Sequence, residues 1–305
     1  MSGLASTSWF IFRHPGGGTK GLWRFFRWQI VTRLRARPTY VLPWVGGAQL
    51  AVRRGDHGLT GNVYCTLLEF DEMGFLLSIL RSGDTFVDIG TNGGAYTVLA
   101  ARVRGARVLA FEPVPDNYER LELNIRINGL EGLVATHPVA LADHEGFGTM
   151  RVPDSPTAFL ETLESQATDD DSIRVTTLDN QLHLDGPTIL KIDVEGGEGR
   201  VINGAHRVLT DHRVLAALVE MSWDANQLST ESGRVVDSML EFGFDLFTYD
   251  FKLHKLSPGM VGGQRNALFI RDEPAIQGRL SDAVTVEPPA GAAWRVLRDL
   301  RLPDL

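Results

Sequence analysis

Carboxylates and glycines fall in four groups whose residue types suit a charged ligand and a moving proton. The first is Val87-Asp88-Ile89-Gly90-Thr91-Asn92-Gly93-Gly94. Its glycines let a backbone approach a ligand closely, and Asp88 sets a carboxylate beside them. The second is Phe111-Glu112-Pro113, where a carboxylate suits the two hydroxyls of a ribose. The third, Lys191-Ile192-Asp193-Val194-Glu195-Gly196-Gly197-Glu198, crowds three carboxylates around a Gly-Gly pair. The fourth is Val219-Glu220-Met221. Crowded carboxylates raise one another's pKa, which suits a general base. The same oxygens also suit a divalent metal. Plainer readings stand beside these. Glu198 caps a helix, Lys191 is a buried partner for Asp193, and Asp143 is either a solvated turn acid or a partner for an adenine amino group. His254 is the reserve base, and Trp223 lines an acceptor pocket or belongs to the core.

The elements between these groups alternate. Strands are expected over Thr85–Ile89, Arg107–Phe111, Leu133–Leu141, Thr188–Ile192, Val214–Met221, Phe244–Tyr249 and Ala267–Arg271. Helices are expected over Ala95–Val103, Pro115–Asn128, Glu198–Val208 and Thr230–Glu241, with an inserted hairpin over 146–177 around a polar loop, Gln166–Ser172. Such alternation predicts an α/β fold with a doubly wound, mainly parallel, seven-stranded sheet. Ligands of these sheets bind at the carboxyl ends of the strands, which is where all four groups fall. Gly90-x-x-Gly93 is not the G-x-G-x-x-G of a dinucleotide site, and Asp88 would repel a pyrophosphate. S-adenosylmethionine, with its ammonium and sulfonium, fits that carboxylate better. A nicotinamide cofactor and a tight turn with no ligand are the competing readings.

At these residues the chain resembles the FkbM family of methyltransferases. The matching stretches are Phe86–Thr97, Phe111–Asn128, Val139–Asp143, Leu190–Glu198 after Thr177-Leu178-Asp179, and Gly204-Ala205, with a lead-in over Gly61–Met73. The family commonly has Ala where Thr91 stands. The resemblance implies a class I, Rossmann-like methyltransferase with S-adenosylmethionine as donor. It puts the cofactor against Asp88, Gly90, Thr91, Asn92, Gly93, Gly94, Tyr96, Thr97, Glu112, Pro113, Asn117, Ala140, Asp143 and Asp193. The methionine part falls at Asp88–Gly94, the ribose at Glu112 and the adenine near Asp143. Methyl transfer to a hydroxyl needs the acceptor's proton removed. The candidates are Asp193, Glu195 and Glu220, acting directly or through a metal, with His254 in reserve. Family members often methylate hydroxyls of sugars or natural products, so a small-molecule or glycan acceptor is expected. An N-methyl acceptor, a nucleic acid and a nucleoside-binding protein without turnover are the alternatives. No N/D-P-P-Y/F element of adenine methylators follows the fourth strand.

Composition narrows the setting. The chain has 305 residues and a net charge of −8. Residues 1–60 hold nine Lys/Arg and one acid, whereas the remainder holds 21 Lys/Arg and 37 acids. An acidic main domain argues against broad phosphate-backbone binding. Cys65 is the single cysteine, so no internal disulfide forms. No run approaches the roughly 18 apolar residues of a membrane span, and no signal peptide is read at the N-terminus, so a cytoplasmic protein is expected. Three parts are expected: a cap over 1–83, the cofactor domain over 84–273, and a proline-rich tail over 274–305 with a helix at Ala292–Leu300. Within the cap, residues 1–20 read as mobile. Leu22–Arg37 reads as an amphipathic helix, with Trp23, Phe26, Ile30 and Leu34 on one side and arginines between them. Its expected role is packing on the main domain, with a homodimer contact and a membrane surface as alternatives.

Overall fold

Apolar strands that alternate with helices from Thr85 onward assemble into one large sheet, and the residues before Thr85 help to cover one of its faces, beside the helices that follow the first two of its strands. The computed structural model describes residues 3–34, 39–151, 159–162, 172–224, 227–262, 264–280 and 295–297. The cover comprises helices α1 (Gly3–Arg13) and α2 (Gly18–Arg33), strands β1 (Thr39–Pro43) and β2 (Gln49–Val52), and helices α3 (His57–Cys65) and α4 (Phe70–Ile79).

The main sheet starts with β3 (Thr85–Ile89), followed by α5 (Ala95–Val98), β4 (Arg107–Phe111), α6 (Pro115–Asn128) and β5 (Val134–His137). An insertion holds β6 (Ala140–Leu141), β7 (Gly146–Arg151), β8 (Phe159–Thr162), β9 (Ile173–Thr176) and α7 (Leu178–Gln181). The chain returns through β10 (Thr188–Ile192), α8 (Glu198–Asn203), α9 (His206–Leu209) and β11 (Val214–Glu220). After a small ribbon of β12 (Trp223–Asp224) and β13 (Gln227–Leu228) come α10 (Thr230–Glu241), β14 (Asp245–Asp250), β15 (Lys255–Pro258), β16 (Asn266–Ile270), α11 (Glu273–Leu280) and β17 (Arg295–Leu297).

Strand order in the main sheet is β15-β14-β16-β11-β10-β3-β4-β5. The strands from β11 through β10 and β3 to β4 and β5 are parallel, and β16 runs antiparallel against β11. Parallel strands are buried on both faces. On β3, Phe86 joins the cluster under the N-terminal layer, whereas Val87 and Ile89 join the cluster on the far face. By the same alternation Asp88, Lys191 and Glu220 share the side of Phe86, Ile189 and Leu218, under the N-terminal layer.

Four expectations are corrected. The sheet has eight strands rather than seven, because Lys255–Pro258 pairs with β14 as a hairpin. The third expected strand divides at Pro138, which has no N–H to give a ladder. Val134–His137 stays in the main sheet, and Ala140–Leu141 joins the four-stranded insertion sheet beside β9. Within the expected mobile stretch, Gly3–Arg13 is helical. In the region expected to form a C-terminal helix, Arg295–Leu297 pairs as a strand with β1. The rest of that region, and all of the expected polar loop but Ser172, lie outside the described residues.

The N-terminal helix holds a further correction. Its periodicity is right, but its orientation is reversed. Trp23, Phe26, Ile30 and Leu34 are exposed, and Gly21, Phe25, Trp28 and Thr32 are buried. Gly21 explains this: a Cβ there would lie 2.8 Å from the Tyr64 carbonyl oxygen and 2.9 Å from the Ile11 side chain. Its small residue lets α2 press on α3, so Phe25 meets Tyr64 and Trp28 meets Tyr40 edge-on, each pair with centroids 5.2 Å apart.

Candidate active site

The glycine-rich turn after β3 is tied to both neighbouring strands. Gly90 has φ +78°, and a Cβ on it would collide with the Asp193 carbonyl oxygen. That close approach lets the Asp193 N–H donate to the Ile89 carbonyl at 3.0 Å. On the other side, Gly90 and Thr91 donate to the Phe111 carbonyl at 2.9 and 3.2 Å. Glu112 then clamps the turn: one carboxylate oxygen accepts the Asn92 N–H at 2.8 Å and the other the Val114 N–H at 2.9 Å. Burial pushes the Glu112 carboxyl up to about 7 despite those amides. Asp88 is buried and accepts the Thr97 hydroxyl at 2.7 Å. Burial raises it to about 6, against the pull of Lys191 and Thr97.

The second half of the site is a charged cluster at the ends of β10 and β11. The buried Lys191 ammonium bonds to Asp193 and lies 4.7 Å from the centre of the Tyr96 ring. Burial alone would raise Asp193, but the Lys191 charge outweighs it and holds the carboxyl below its ordinary value. Glu220 is shifted upward, first by burial and then by the Asp193 charge and a hydrogen bond shared with Asp193. The Arg265 guanidinium reaches Glu220 at 3.0 Å. Glu195 is exposed and sits in the left-handed region at φ +53°, a conformation that persists in a non-glycine residue when its surroundings impose it. Glu198 opens α8 rather than capping it: its carboxylate accepts the Val194 and Gly196 N–H groups and closes the preceding loop.

These groups meet in a cavity of about 360 Å³, within the range of small-molecule sites. It brings together Asp88, Gly90, Thr91, Asn92, Gly93, Tyr96, Asp193, Glu195 and Glu220 from the expected set. Leu59, Leu68 and Met73 from the N-terminal layer form its apolar side. Gly94, Thr97 and Glu112 support the turn from behind. Pro113, Asn117, Ala140 and Asp143 do not line this cavity. Asn117 accepts from Arg120 at 2.9 Å, and Asp143 pairs with His144 at 2.8 Å, which lowers its pKa. His254, the reserve base, stands apart from these groups. It lies in the turn between β14 and β15, outside the cavity lining, with its ring on Phe251 and 3.2 Å from the Tyr249 hydroxyl.

Two charged lining residues, Glu69 and Arg265, had no role assigned from sequence. Glu69 accepts the Tyr96 hydroxyl at 2.5 Å and the Asn266 amide at 3.2 Å. Arg265 comes from the loop before β16, where Glu220 and Asn266 are register partners. A second cavity, of about 490 Å³, is lined by Glu72 and Gln264, near in sequence to Glu69 and Arg265 of the first. Asp71, Thr248, Asp250, Lys255 and Ser257 make the second cavity polar.

Asp193, Glu195 and Glu220 place carboxylate oxygens within 4.8 Å of one another. Oxygen donors of this kind suit a hard divalent ion. Lys191 bonds to Asp193 and Arg265 to Glu220, so two cationic side chains already touch the carboxylates that such an ion would use.

The Methyltransferase FkbM domain matches residues 88–246, from the carboxylate of the glycine-rich turn past the ends of β10 and β11. Sheet order and site together define a Rossmann-like methyltransferase. The chain belongs to the FkbM methyltransferase family. Ribosomal protein L11 methyltransferases of Bacillus cytotoxicus and Bacillus cereus (strain ATCC 10987 / NRS 248) are 34% and 32% identical over 56 residues, a match covering 18% of this chain and 18% of each relative. Among solved structures, methyltransferase FkbM from Methylobacillus flagellatus KT aligns with TM-score 0.43 and 16% identity, over 70% of this chain and 52% of that one. An rRNA methylase from Streptococcus thermophilus aligns with TM-score 0.39 and 11% identity, over 65% of this chain and 93% of that one.

Proposed function

We propose that this methyltransferase moves the methyl group of S-adenosylmethionine to a hydroxyl of a sugar or a natural-product small molecule. The observation that carries the reading is the Asp193–Glu220 pair, set in the same cavity as the glycine-rich turn. The residues present fit the donor. Asp88 suits its amino group, the Gly90–Gly94 turn permits close approach, and the Glu112 carboxylate beside that turn suits the ribose hydroxyls. When bound, the donor supplies an electrophilic methyl on a good leaving group.

The chain's own task is to orient the acceptor and take its proton. Lys191 keeps Asp193 ionised, and Glu220 shares a proton with it, so the pair is a hydrogen-bond acceptor and a proton store at one point. Arg265 limits the charge there. Leu59, Leu68 and Met73 give the acceptor an apolar side to lie against. The second, polar cavity suits the other hydroxyls of a polyol acceptor. Excess acid outside residues 1–60 speaks against a nucleic-acid acceptor.

The test is turnover with a methyl-labelled donor against panels of glycans, hydroxylated natural products, peptides and RNA. The expected result is a product heavier by one methylene, with the methyl on oxygen. Methylation of nitrogen alone, or of RNA, overturns this reading. Loss of activity on chelation would restore a metal to the carboxylate cluster.

A further inference from the structure

We propose that α1 and α2 form a docking surface for a bilayer bearing anionic headgroups. Each helix buries one side in the molecule and turns large apolar side chains outward. Ile11 of α1 is buried, whereas Trp9 and Phe12 are 59% and 55% exposed. On α2, Phe25 and Trp28 are 2% exposed, whereas Trp23 and Ile30 are each 61% exposed. Trp23, Phe26, Ile30 and Leu34 follow helical spacing, so they make a continuous stripe of roughly 16 Å. Exposed apolar residues scattered singly need no explanation, but a contiguous stripe marks an interaction surface.

Charge identifies the occupant. Residues 3–33 contain Arg13, Lys20, Arg24, Arg27 and Arg33 and no Asp or Glu. The Arg13 guanidinium lies 4.8 Å from the centre of the Trp9 ring, and that of Arg27 lies 5.2 Å from the centre of the Trp23 ring. Aromatic rings with arginines at their edge suit the boundary between acyl chains and anionic headgroups. A second copy meeting this face with its own would set arginines against arginines. No described helix is long and apolar enough to cross a membrane, so the contact is with the surface of the bilayer.

The surface is joined to the site. His14, which follows α1, bonds to the Leu68 carbonyl at 2.8 Å, and Leu68 lines the cavity. Arg24 of α2 donates to the Thr66 hydroxyl at 3.1 Å. Docking therefore anchors the segment that walls the cavity.

The experiment is flotation of the full chain with equimolar phosphatidylglycerol–phosphatidylcholine vesicles and with phosphatidylcholine vesicles alone. The expected result is binding to the first, at least about tenfold weaker binding to the second, and release at high salt. Tryptophan fluorescence should shift to the blue on binding. The variant Trp23→Glu/Phe26→Glu alters exposed positions only, so it should keep its melting temperature and its response to S-adenosylmethionine while losing about tenfold or more in vesicle binding. No flotation with either vesicle overturns the proposal. So does a wild-type dimer that the double variant dissociates, with no vesicle binding, which would assign the face to a second copy. Equal binding by the variant also overturns it.

Discussion

Asp193 and Glu220 end neighbouring parallel strands but differ in what neutralises them, and that difference decides which substitution is informative. Glu220 faces Arg265, which is largely exposed, so Glu220→Gln leaves no buried charge without a partner. It should lower turnover by about 10²–10⁴-fold while leaving cofactor affinity nearly unchanged, because an amide cannot exchange a proton with Asp193. A calorimetric titration beside a rate measurement checks both halves. Asp193→Asn strands the buried Lys191 ammonium, and breaking a buried pair from one side costs about 3–5 kcal/mol. That variant should therefore lose stability as well as activity. Glu112 has a similar double role. Its two oxygens hold the Asn92 and Val114 amides, bonds to a charged group that contribute roughly 1.5–3 kcal/mol each. Glu112→Ala should lower the melting temperature of the ligand-free protein and weaken S-adenosylmethionine binding at least about tenfold. An unchanged melting temperature in that variant would show that the clamp does not hold the turn.

At the scale of elements, α2 gives the sharpest contrast. Trp28→Ala removes a buried ring from the shared core and should cost about 3–5 kcal/mol. Trp23→Ala on the same helix should change stability by no more than about 0.5 kcal/mol. Chemical denaturation of the two variants measures the difference directly. Periodicity in the sequence showed which residues of this helix share a side, but not which side faces in. The smaller signal was Gly21, whose missing side chain admits α3. The parallel strands were legible because burial on both faces makes them continuous apolar runs. Lys255–Pro258 is half exposed and too short to show a pattern, so the eighth strand was not legible. The site was legible where it follows the chain into strand ends, at Asp88, Glu112, Asp193 and Glu220. Glu69 and Arg265 come from a helix start and a loop outside the parallel core strands. No local pattern links them to those strand ends, and only tertiary packing brings them in. His254 follows a strand of the correct direction, yet its turn carries it onto Phe251 instead.

Across the whole molecule, several carboxyls are buried in an acidic chain, and their protonation ties folding to ligand binding. Burial lifts Asp88 to about 6 and Glu112 to about 7, and burial together with the Glu69 charge lifts Glu72 to about 7. In the unfolded chain such groups titrate near 4. Between those values the folded state binds more protons than the unfolded state, so stability falls as pH rises. Their contribution is complete below about pH 4 and is lost as pH passes through about 6 to 7. The ligand-free protein should therefore melt at a higher temperature near pH 5.5 than near pH 8, by these groups' contribution. A cationic ligand beside Asp88 favours the ionised carboxylate. Affinity for S-adenosylmethionine should then rise from about pH 5 to about pH 7.5, with protons released on binding. Calorimetry in two buffers of different ionisation enthalpy counts those protons. Asp88→Asn should remove the release and most of the pH dependence, because its amide has no proton to lose in that range. If the wild-type affinity is flat over the same interval and Asp88→Asn leaves it unchanged, Asp88 lies away from the ligand's ammonium, and the placement of the methionine end at the glycine-rich turn fails with it.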